Sequence, residues 1–437
     1  MARKFTISEK KDSSFAFFFL VLYTIAVLIR PHEMFSLSVN WIIIKIITII
    51  ALLTTISSQR PIHFSREHWM LTFLVPWIII SGFLNGSGIM GIDRAIDFGI
   101  SAIIPFFLFS NLLTSIKRQQ IVMVICLIAA VIMIHNGHHQ QTAQLGQGWA
   151  HGTYSVGYID LGERRITYLG FFSDPNDMGM FFLMCIPITF YFLSHSRGLI
   201  KLLIFSCILI LGYGIFLTGS RGTFLGLAGL ACSYYLITRA GKKVLFAAIV
   251  LAPVLGIILS KLQATIDASA NERLYAWYDG IHMLLSNPIF GVGKDNFMEN
   301  HVRVAHNSYI HIAAELGSIG YSLWGGVLFS LLTICFTVLR LNIAKQIEEK
   351  SEISKQELSI NKAIFFSMVA FLISAFFISR SYTLLLFIFL GMLYSSIKRL
   401  NIQLPVINEM LSTVYAKSLA LSWSMLFLVY VALKIAL

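Results

Sequence analysis

The chain has 437 residues, of which 57% are hydrophobic and 12% charged, and its mean hydropathy is +0.77. Soluble domains carry about 25% charged residues, so a soluble fold is excluded. The formal charge of +12 does not point to nucleic acid, because Lys and Arg gather on no soluble face and no nucleic-acid motif is present. Cys126, Cys185, Cys207, Cys232 and Cys335 all fall inside apolar runs without metal or redox spacing, and no cofactor is expected.

Arg3, Lys4, Lys10 and Lys11 precede an apolar run that no small-residue cleavage site follows, which predicts a retained first span. Apolar stretches of about 16–22 residues mark spans. They lie near 14–30, 41–58, 69–86, 96–113, 119–135, 177–195, 199–218, 222–238, 243–260, 309–339, 362–379, 382–397 and 417–435. The expectation is an all-α, polytopic transmembrane helical bundle of about 12–13 spans, forming one membrane domain over residues 1–437. The run 309–339 exceeds one crossing, so its first turns should lie at the interface or tilt.

With the N-terminus cytoplasmic, 21 of the 33 Lys and Arg fall in the inside segments 1–13, 59–68, 114–118, 196–201, 239–243, 340–362 and 398–417. Ten fall outside, the bias that the positive-inside rule asks for. These ten are Arg30, Arg94, Arg164, Arg165, Arg221, Lys261, Arg273, Lys294, Arg303 and Arg380. Cations held on the wrong side against the topological bias are candidates for binding an anion there, or for meeting lipid headgroups. The same assignment places two long loops, 136–176 and 261–308, on the periplasmic side, and any chemistry with them. The mixed-charge stretch 340–362 is a solvated cytoplasmic connector.

In the first loop, His135, His138, His139 and His151 invite a metal reading, but no carboxylate stands at short spacing and a solvated loop explains them as well. No D-x-D occurs in the chain, which weakens a metal-held pyrophosphate. Gly146, Gly148, Gly152 and Gly157, interleaved with Trp149, Tyr154 and Tyr158, suggest a mobile aromatic loop that could stack on sugars or form an interfacial belt. Asp174-Pro175-Asn176-Asp177 should cap the next helix.

Gly219-Ser220-Arg221-Gly222 separates two apolar runs at an outer membrane end. An Arg partly below the headgroups costs about 2–3 kcal/mol unless paired. Its partner is either an Asp or Glu or the phosphates of a lipid.

In the second loop, Ser269-Ala270-Asn271-Glu272 fits a capping box that starts a helix. Leu274, Trp277, Tyr278, Ile281, Leu284 and Leu285 then recur on one face until Asn287-Pro288 ends the segment. This predicts an amphipathic helix lying on the membrane surface, with Arg273 at the interface. Phe290-Gly291-Val292-Gly293-Lys294 has glycines that allow close backbone approach to a ligand. Arg303-Val304-Ala305-His306-Asn307-Ser308-Tyr309 leads into the following span, with Asn307 or Ser308 as cap. His306 then sits at a helix N-terminus, a place that favours a phosphate, and is either a proton acceptor or a capping or core histidine.

Taken together, Gly-Ser-Arg-Gly, Arg-Leu-Tyr-Ala-Trp, Asn-Pro-Ile-Phe-Gly-Val-Gly and Ala-His-Asn-Ser-Tyr resemble the O-antigen ligase and Wzy polymerase superfamily of bacterial envelope enzymes, over about residues 165–340. The resemblance implies a metal-independent, inverting membrane glycosyltransferase of the bacterial inner membrane. It would move a glycan from an undecaprenyl-diphosphate carrier to an acceptor hydroxyl on the periplasmic face. Carried over by motif, Arg221 and Arg273 would bind the diphosphate and His306 would activate the acceptor. Arg303, Lys294, Arg165 and Asp174 are possible further contacts. The acceptor would be a growing glycan, lipid A–core or a protein hydroxyl, with membrane lipids the other partners. The rival is a lipid-linked glycan transporter or flippase, which calls for paired broken helices and intramembrane charges. Lys45 is the one clear mid-run charge, close enough to an end to snorkel.

Overall fold

The computed structural model describes residues 12–35, 42–157, 164–241, 268–340, 352–403 and 406–436, with isolated positions between 243 and 258. Among them the chain is helical apart from loops and two isolated antiparallel bridges, Gln147 with Tyr154 and Val156 with Arg165. In order, the helices are α1 (Ser14–Leu28), α2 (Pro31–Met34), α3 (Ile42–Ser58), α4 (Arg66–Leu84) and α5 (Met90–Phe98). A π turn, Gly99–Ile103, joins α5 to α6 (Ile104–Leu112), and α7 (Ile116–Thr142), α8 (Pro175–His195), α9 (Gly198–Leu217) and α10 (Arg221–Thr238) follow. The second half has α11 (Ala268–Ser286), α12 (Phe297–Asn300), α13 (Ser308–Arg340), α14 (Glu352–Ala375), α15 (Leu384–Gln403) and α16 (Val406–Ala436).

Nine helices among the described residues are long and apolar enough to cross a membrane, and α1 and α3 are shorter apolar helices. The expected span 222–238 forms as α10, whereas 243–260 lies mostly outside the described residues. This is a polytopic helical bundle. Helix starts follow local capping: Ser13 Oγ accepts from Ala16 N at 3.0 Å, Ser115 Oγ from Arg118 N at 3.3 Å, and Ser220 Oγ from Thr223 N at 3.2 Å.

Polar contacts gather the helix ends into two groups. At one end Tyr168 Oη donates to Ile29 O, after α1, at 2.7 Å. Arg165 Nε donates to Thr218 O, after α9, at 2.8 Å, and Ser308 Oγ donates to Ile378 O at 2.6 Å. At the other end Ser13 N donates to Gln59 Oε1 at 3.0 Å, Arg118 Nη2 to Ser13 O at 3.0 Å, and Arg399 Nη1 to Leu113 O at 2.6 Å. The grouping follows the alternation of spans read from hydropathy.

Three local expectations are revised, besides the solvated connector expected over 340–362, whose residues 352–362 form the start of α14 with Glu357 and Asn361 buried. The first long loop, expected over 136–176, starts later: α7 runs on to Thr142, so His135, His138 and His139 stand on its last turns. His138 Nδ1 meets Tyr213 Oη at 2.8 Å, His139 Nδ1 meets Gln147 O at 3.0 Å, and the His135 ring lies 5.8 Å from that of Trp149. Second, Ala268 and Ser269 are already helical, so Ser269 is not the cap of α11. Its apolar stripe is covered by the bundle rather than laid on a membrane surface: Leu274, Trp277 and Ile281 are buried, and Trp277 meets Phe376 edge-on at 5.2 Å. Leu285 remains exposed.

Third, the long run 309–339 is not one tilted helix. α13 breaks at Gly317 (φ 64°, ψ −165°), leaving a short first segment and a second of about 34 Å, one crossing's length. The break is pinned by protein: Ser318 N donates to Pro288 O at 2.8 Å and Trp77 Nε1 to Leu316 O at 2.9 Å. A Cβ at Gly317 would collide with the Ile289 carbonyl, in a backbone region that only glycine occupies comfortably. Gly317→Ala should therefore cost about 1–3 kcal/mol in backbone strain before any clash is counted. The check is the apparent Tm of purified protein in detergent, which should fall; an unchanged Tm would show that the break is not required.

Candidate active site

His306 stands in left-handed backbone (φ 49°) immediately before α13. Asn307 Oδ1 accepts from Tyr309 N at 3.0 Å and Ile310 N at 3.1 Å, so Asn307 is the cap and the imidazole is set just outside the helix start. Strained backbone in a non-glycine residue persists only where its surroundings over-determine it. Here Ser308 supplies the constraint: its Oγ donates to Ile378 O and accepts from Arg380 N at 2.8 Å, while its carbonyl accepts from Ser381 Oγ at 2.7 Å. The start of α13 is thus tied to the loop between α14 and α15.

That loop carries Arg380, whose guanidinium makes a bidentate pair with Asp177 of α8, Nε to Oδ1 and Nη2 to Oδ2, both at 2.5 Å. The Asp177 side chain is 2% exposed and that of Arg380 37%. One turn earlier Asp174 caps α8, as expected, accepting from Asn176 N at 2.7 Å. Asn176 links the neighbours: its Oδ1 accepts from Ser220 Oγ at 2.6 Å and Arg165 Nη2 at 3.1 Å, and its Nδ2 donates to Asp174 Oδ1 at 2.9 Å. Arg221 follows Ser220 in the first turn of α10. The Gly-Ser-Arg-Gly turn and the Asp-Pro-Asn-Asp cap, 44 residues apart, are one polar unit.

The electrostatics of His306 place the rest. Its pKa is pushed down to about 4, first by burial, then by the positive field of Arg273, with Arg303 and Arg380 adding to it and Asp174 opposing. Arg303 Nη1 lies 2.7 Å from Glu272 Oε2, with both side chains about half exposed, so this pair holds the loop only weakly. Arg273, Arg303 and Arg380 thus act on His306 against Asp174, while Asp174 also acts on Arg165, Asp177 holds Arg380 and Glu272 holds Arg303.

Lys294 joins a second cluster. Its Nζ is 2.5 Å from Asp295 Oδ2 and 5.0 Å above the Tyr382 ring. Tyr382 Oη donates to the fully buried Glu315 at 2.9 Å. Arg94 Nη1 donates to Asn296 Oδ1 at 2.5 Å beside it. The glycines ahead of Lys294, expected to let backbone approach a ligand, approach the chain itself: Gly291 (φ 68°) presses on Ala314 and Glu315, and Gly293 N donates to Glu315 O at 2.8 Å. Other cations expected outside also find protein partners: Arg30 forks onto Glu33, and Arg164 donates to Ala143 O at 2.6 Å and Gln144 O at 2.9 Å. Lys261 lies outside the described residues.

The sequence marks Arg380 only as one of ten outside cations that could bind an anion, and Asp177 only as part of a helix cap. The signal was available in Ser379-Arg380-Ser381, a charge between two apolar runs read by the same logic as Arg221. Among the described residues no three His, Cys, Asp or Glu side chains converge as a metal site would need.

Residues 205–325 match the O-antigen ligase family, consistent with the O-antigen ligase and polymerase superfamily. No curated protein matches the chain. The matched stretch contains Arg221, Arg273, Lys294, Arg303 and His306, while Arg165, Asp174, Asp177 and Arg380 lie outside it.

Proposed function

Taking as premise that residues 205–325 are an O-antigen ligase region of a multi-pass membrane protein, we propose that the chain transfers a glycan from an undecaprenyl-diphosphate carrier to an acceptor hydroxyl on the periplasmic face. The observation that carries the reading is His306, held just outside the start of α13 in the positive field of Arg273, Arg303 and Arg380. The acceptor oxygen attacks the anomeric carbon while the bond to the diphosphate breaks. Imidazole takes the hydroxyl proton, and the undecaprenyl diphosphate leaves with the bonding electrons, its charge held by Arg221 and Arg273 with Arg380 beside them. Arginine forks suit this task because each offers two donors to neighbouring phosphate oxygens. Attack opposite the leaving group inverts the anomeric centre.

His306 keeps its neutral, proton-accepting form down to about pH 4, because burial and the arginine field both disfavour the imidazolium. A bound diphosphate dianion cancels part of that field and raises the basicity of the imidazole when the donor is in place. The site is thus a stronger base with donor than without. Polymerisation of repeat units is the leading outcome, with ligation to lipid A–core or transfer to a protein hydroxyl differing only in the acceptor. The break at Gly317 does not favour a transporter, since it is packed by Trp77 and Pro288 rather than exposed along a path.

The direct test is transfer by purified protein from an undecaprenyl-diphosphate-linked glycan to a supplied acceptor, followed by mass of the product. Turnover should survive EDTA, because arginine charge does the work a divalent ion would do at the diphosphate. Loss of activity on chelation with recovery on adding a divalent ion would reject the arginine account. Sidedness has its own readout. Single cysteines at Gly157 and Asn300, in a cysteine-free background, should react with an impermeant thiol reagent in cells with a permeabilised outer membrane, and one at Glu352 should not. The reverse pattern would turn the site to the cytoplasm.

A further inference from the structure

At the bundle end opposite His306, a cavity of about 540 Å³ opens between the first turn of α7, the second turn of α14 and the last turns of α15. Thr114, Ser115, Lys117 and Gln120 line one side, Gln356, Glu357 and Arg399 the other, with Ile116 and Ile353 between. Its floor is built. The Glu357 and Arg399 side chains are 4% and 8% exposed, and Arg399 Nε donates to Glu357 Oε1 at 2.6 Å. Arg399 also donates to Leu113 O at 2.6 Å and to Gln119 Oε1. Gln120 Nε2 donates to Tyr191 Oη at 2.8 Å.

One polar atom of this floor is left over. Glu357 Oε2 is buried and has no hydrogen-bond partner among the described residues, whereas Oε1 accepts from Arg399 Nε. A buried carboxylate oxygen without a donor costs about 1–3 kcal/mol or more, so it calls for a ligand that donates. Opposite it the N-terminus of the 27-residue α7, capped by Ser115, presents the positive end of a long helix, with the exposed Lys117 on its first turn. The cavity therefore offers an anion subsite on α7 and a hydrogen-bond-accepting carboxylate on α14, flanked by isoleucines at the end of a membrane bundle.

We propose that this cavity binds the headgroup of an aminophospholipid, its phosphodiester at the start of α7 beside Lys117 and its primary ammonium on Glu357 Oε2. A headgroup with a phosphate alone leaves Glu357 Oε2 unsatisfied, and a quaternary ammonium carries no N–H to give it. The isoleucines and the membrane position select a lipid over a soluble phosphate ester. This site is independent of the glycan-transfer reading, which concerns the other end of the bundle.

Delipidated full-length protein is titrated with short-chain phosphatidylethanolamine, phosphatidylcholine and phosphatidylglycerol, and bound lipid is counted by native mass spectrometry. One phosphatidylethanolamine should bind at least about tenfold more tightly than either other lipid, the margin of one charge-assisted hydrogen bond. Lys117→Ala, at an exposed position that leaves the fold intact, should weaken phosphatidylethanolamine and phosphatidylcholine together by several-fold. Glu357→Gln should remove the preference between them while weak binding of both persists. Equal affinity for the three lipids in the wild type, or no effect of Lys117→Ala, would overturn the proposal. Glycerophosphoethanolamine should compete only at concentrations at least about a hundredfold higher than the lipid, since it lacks the acyl chains that bury on the isoleucines. Equal competition would assign the cavity to a soluble phosphate ester and reject the lipid.

Discussion

Replacing His306 by alanine is expected to lower single-turnover glycan transfer by about two to four decades, the range that general acid–base catalysis supplies. Donor binding should stay nearly normal, because the diphosphate is assigned to arginines. A histidine that served only to shape the turn before α13 would behave differently: its loss would reduce folded yield or Tm and leave the surviving protein active. The wild-type pH profile adds a second discriminator. In the free enzyme the imidazole stays neutral until pH falls to about 4, held there by burial and by Arg273. The low-donor rate, which reports the free enzyme, should therefore lose activity only as pH drops through about 4. At saturating donor the inflection should move up, because the bound dianion offsets the arginine field, while burial still holds it below the ordinary imidazole value. Both inflections should vanish from the residual rate of the alanine variant. Wild-type-like transfer by His306→Ala, or a persistent acid inflection owed to a base such as Asp295, would sink the mechanism.

Arg273→Ala and Arg221→Ala are each expected to slow transfer by one to two decades or more, since a charge-assisted contact to a diphosphate is worth about 1.5–3 kcal/mol. Lysine at either position should rescue only partly, because it keeps the charge and loses the two-donor fork. Donor affinity should fall together with the rate, unlike the His306 variant. Arg273→Ala carries a further signature, since removing the largest charge acting on the imidazole should raise the pKa of His306 and shift the low-donor inflection upward. Arg380 must be read with more care. Its removal abandons the buried Asp177 carboxylate, a defect of about 3–5 kcal/mol for a fully buried pair and less here, where the guanidinium is 37% exposed. Arg380→Ala should thus lose stability as well as rate, whereas Arg221→Ala and Arg273→Ala should lose rate at normal protein levels. Full activity of both latter variants would reject diphosphate binding at these positions.

What the sequence determined by itself is local or periodic. Apolar runs of crossing length mark helices because a spanning backbone must satisfy its own hydrogen bonds. The caps Asp174 and Asn307 each bond amides two or three residues ahead, so local sequence reveals them. The alternation of helix ends follows from counting spans, and the misplaced cations drew attention to Arg221, Arg273, Arg303 and Arg380 before any contact was known. Tertiary structure decided which of those cations meet. Arg380 reaches Asp177 across 203 residues, and Arg94 reaches Asn296 across 202, pairings that no local pattern encodes. It also decided that the stripe of Leu274, Trp277 and Ile281 is covered by protein, for hydropathy assigns the same free energy to a lipid tail as to Phe376. The break at Gly317 was hidden in the same way: α13 is apolar on both sides of it, and only the carbonyls of Pro288 and Ile289, brought against the helix from another segment, require the chain to turn there. The basicity of His306 belongs to this second kind, because burial and the field of three arginines from separate elements exist only once the bundle has closed around it.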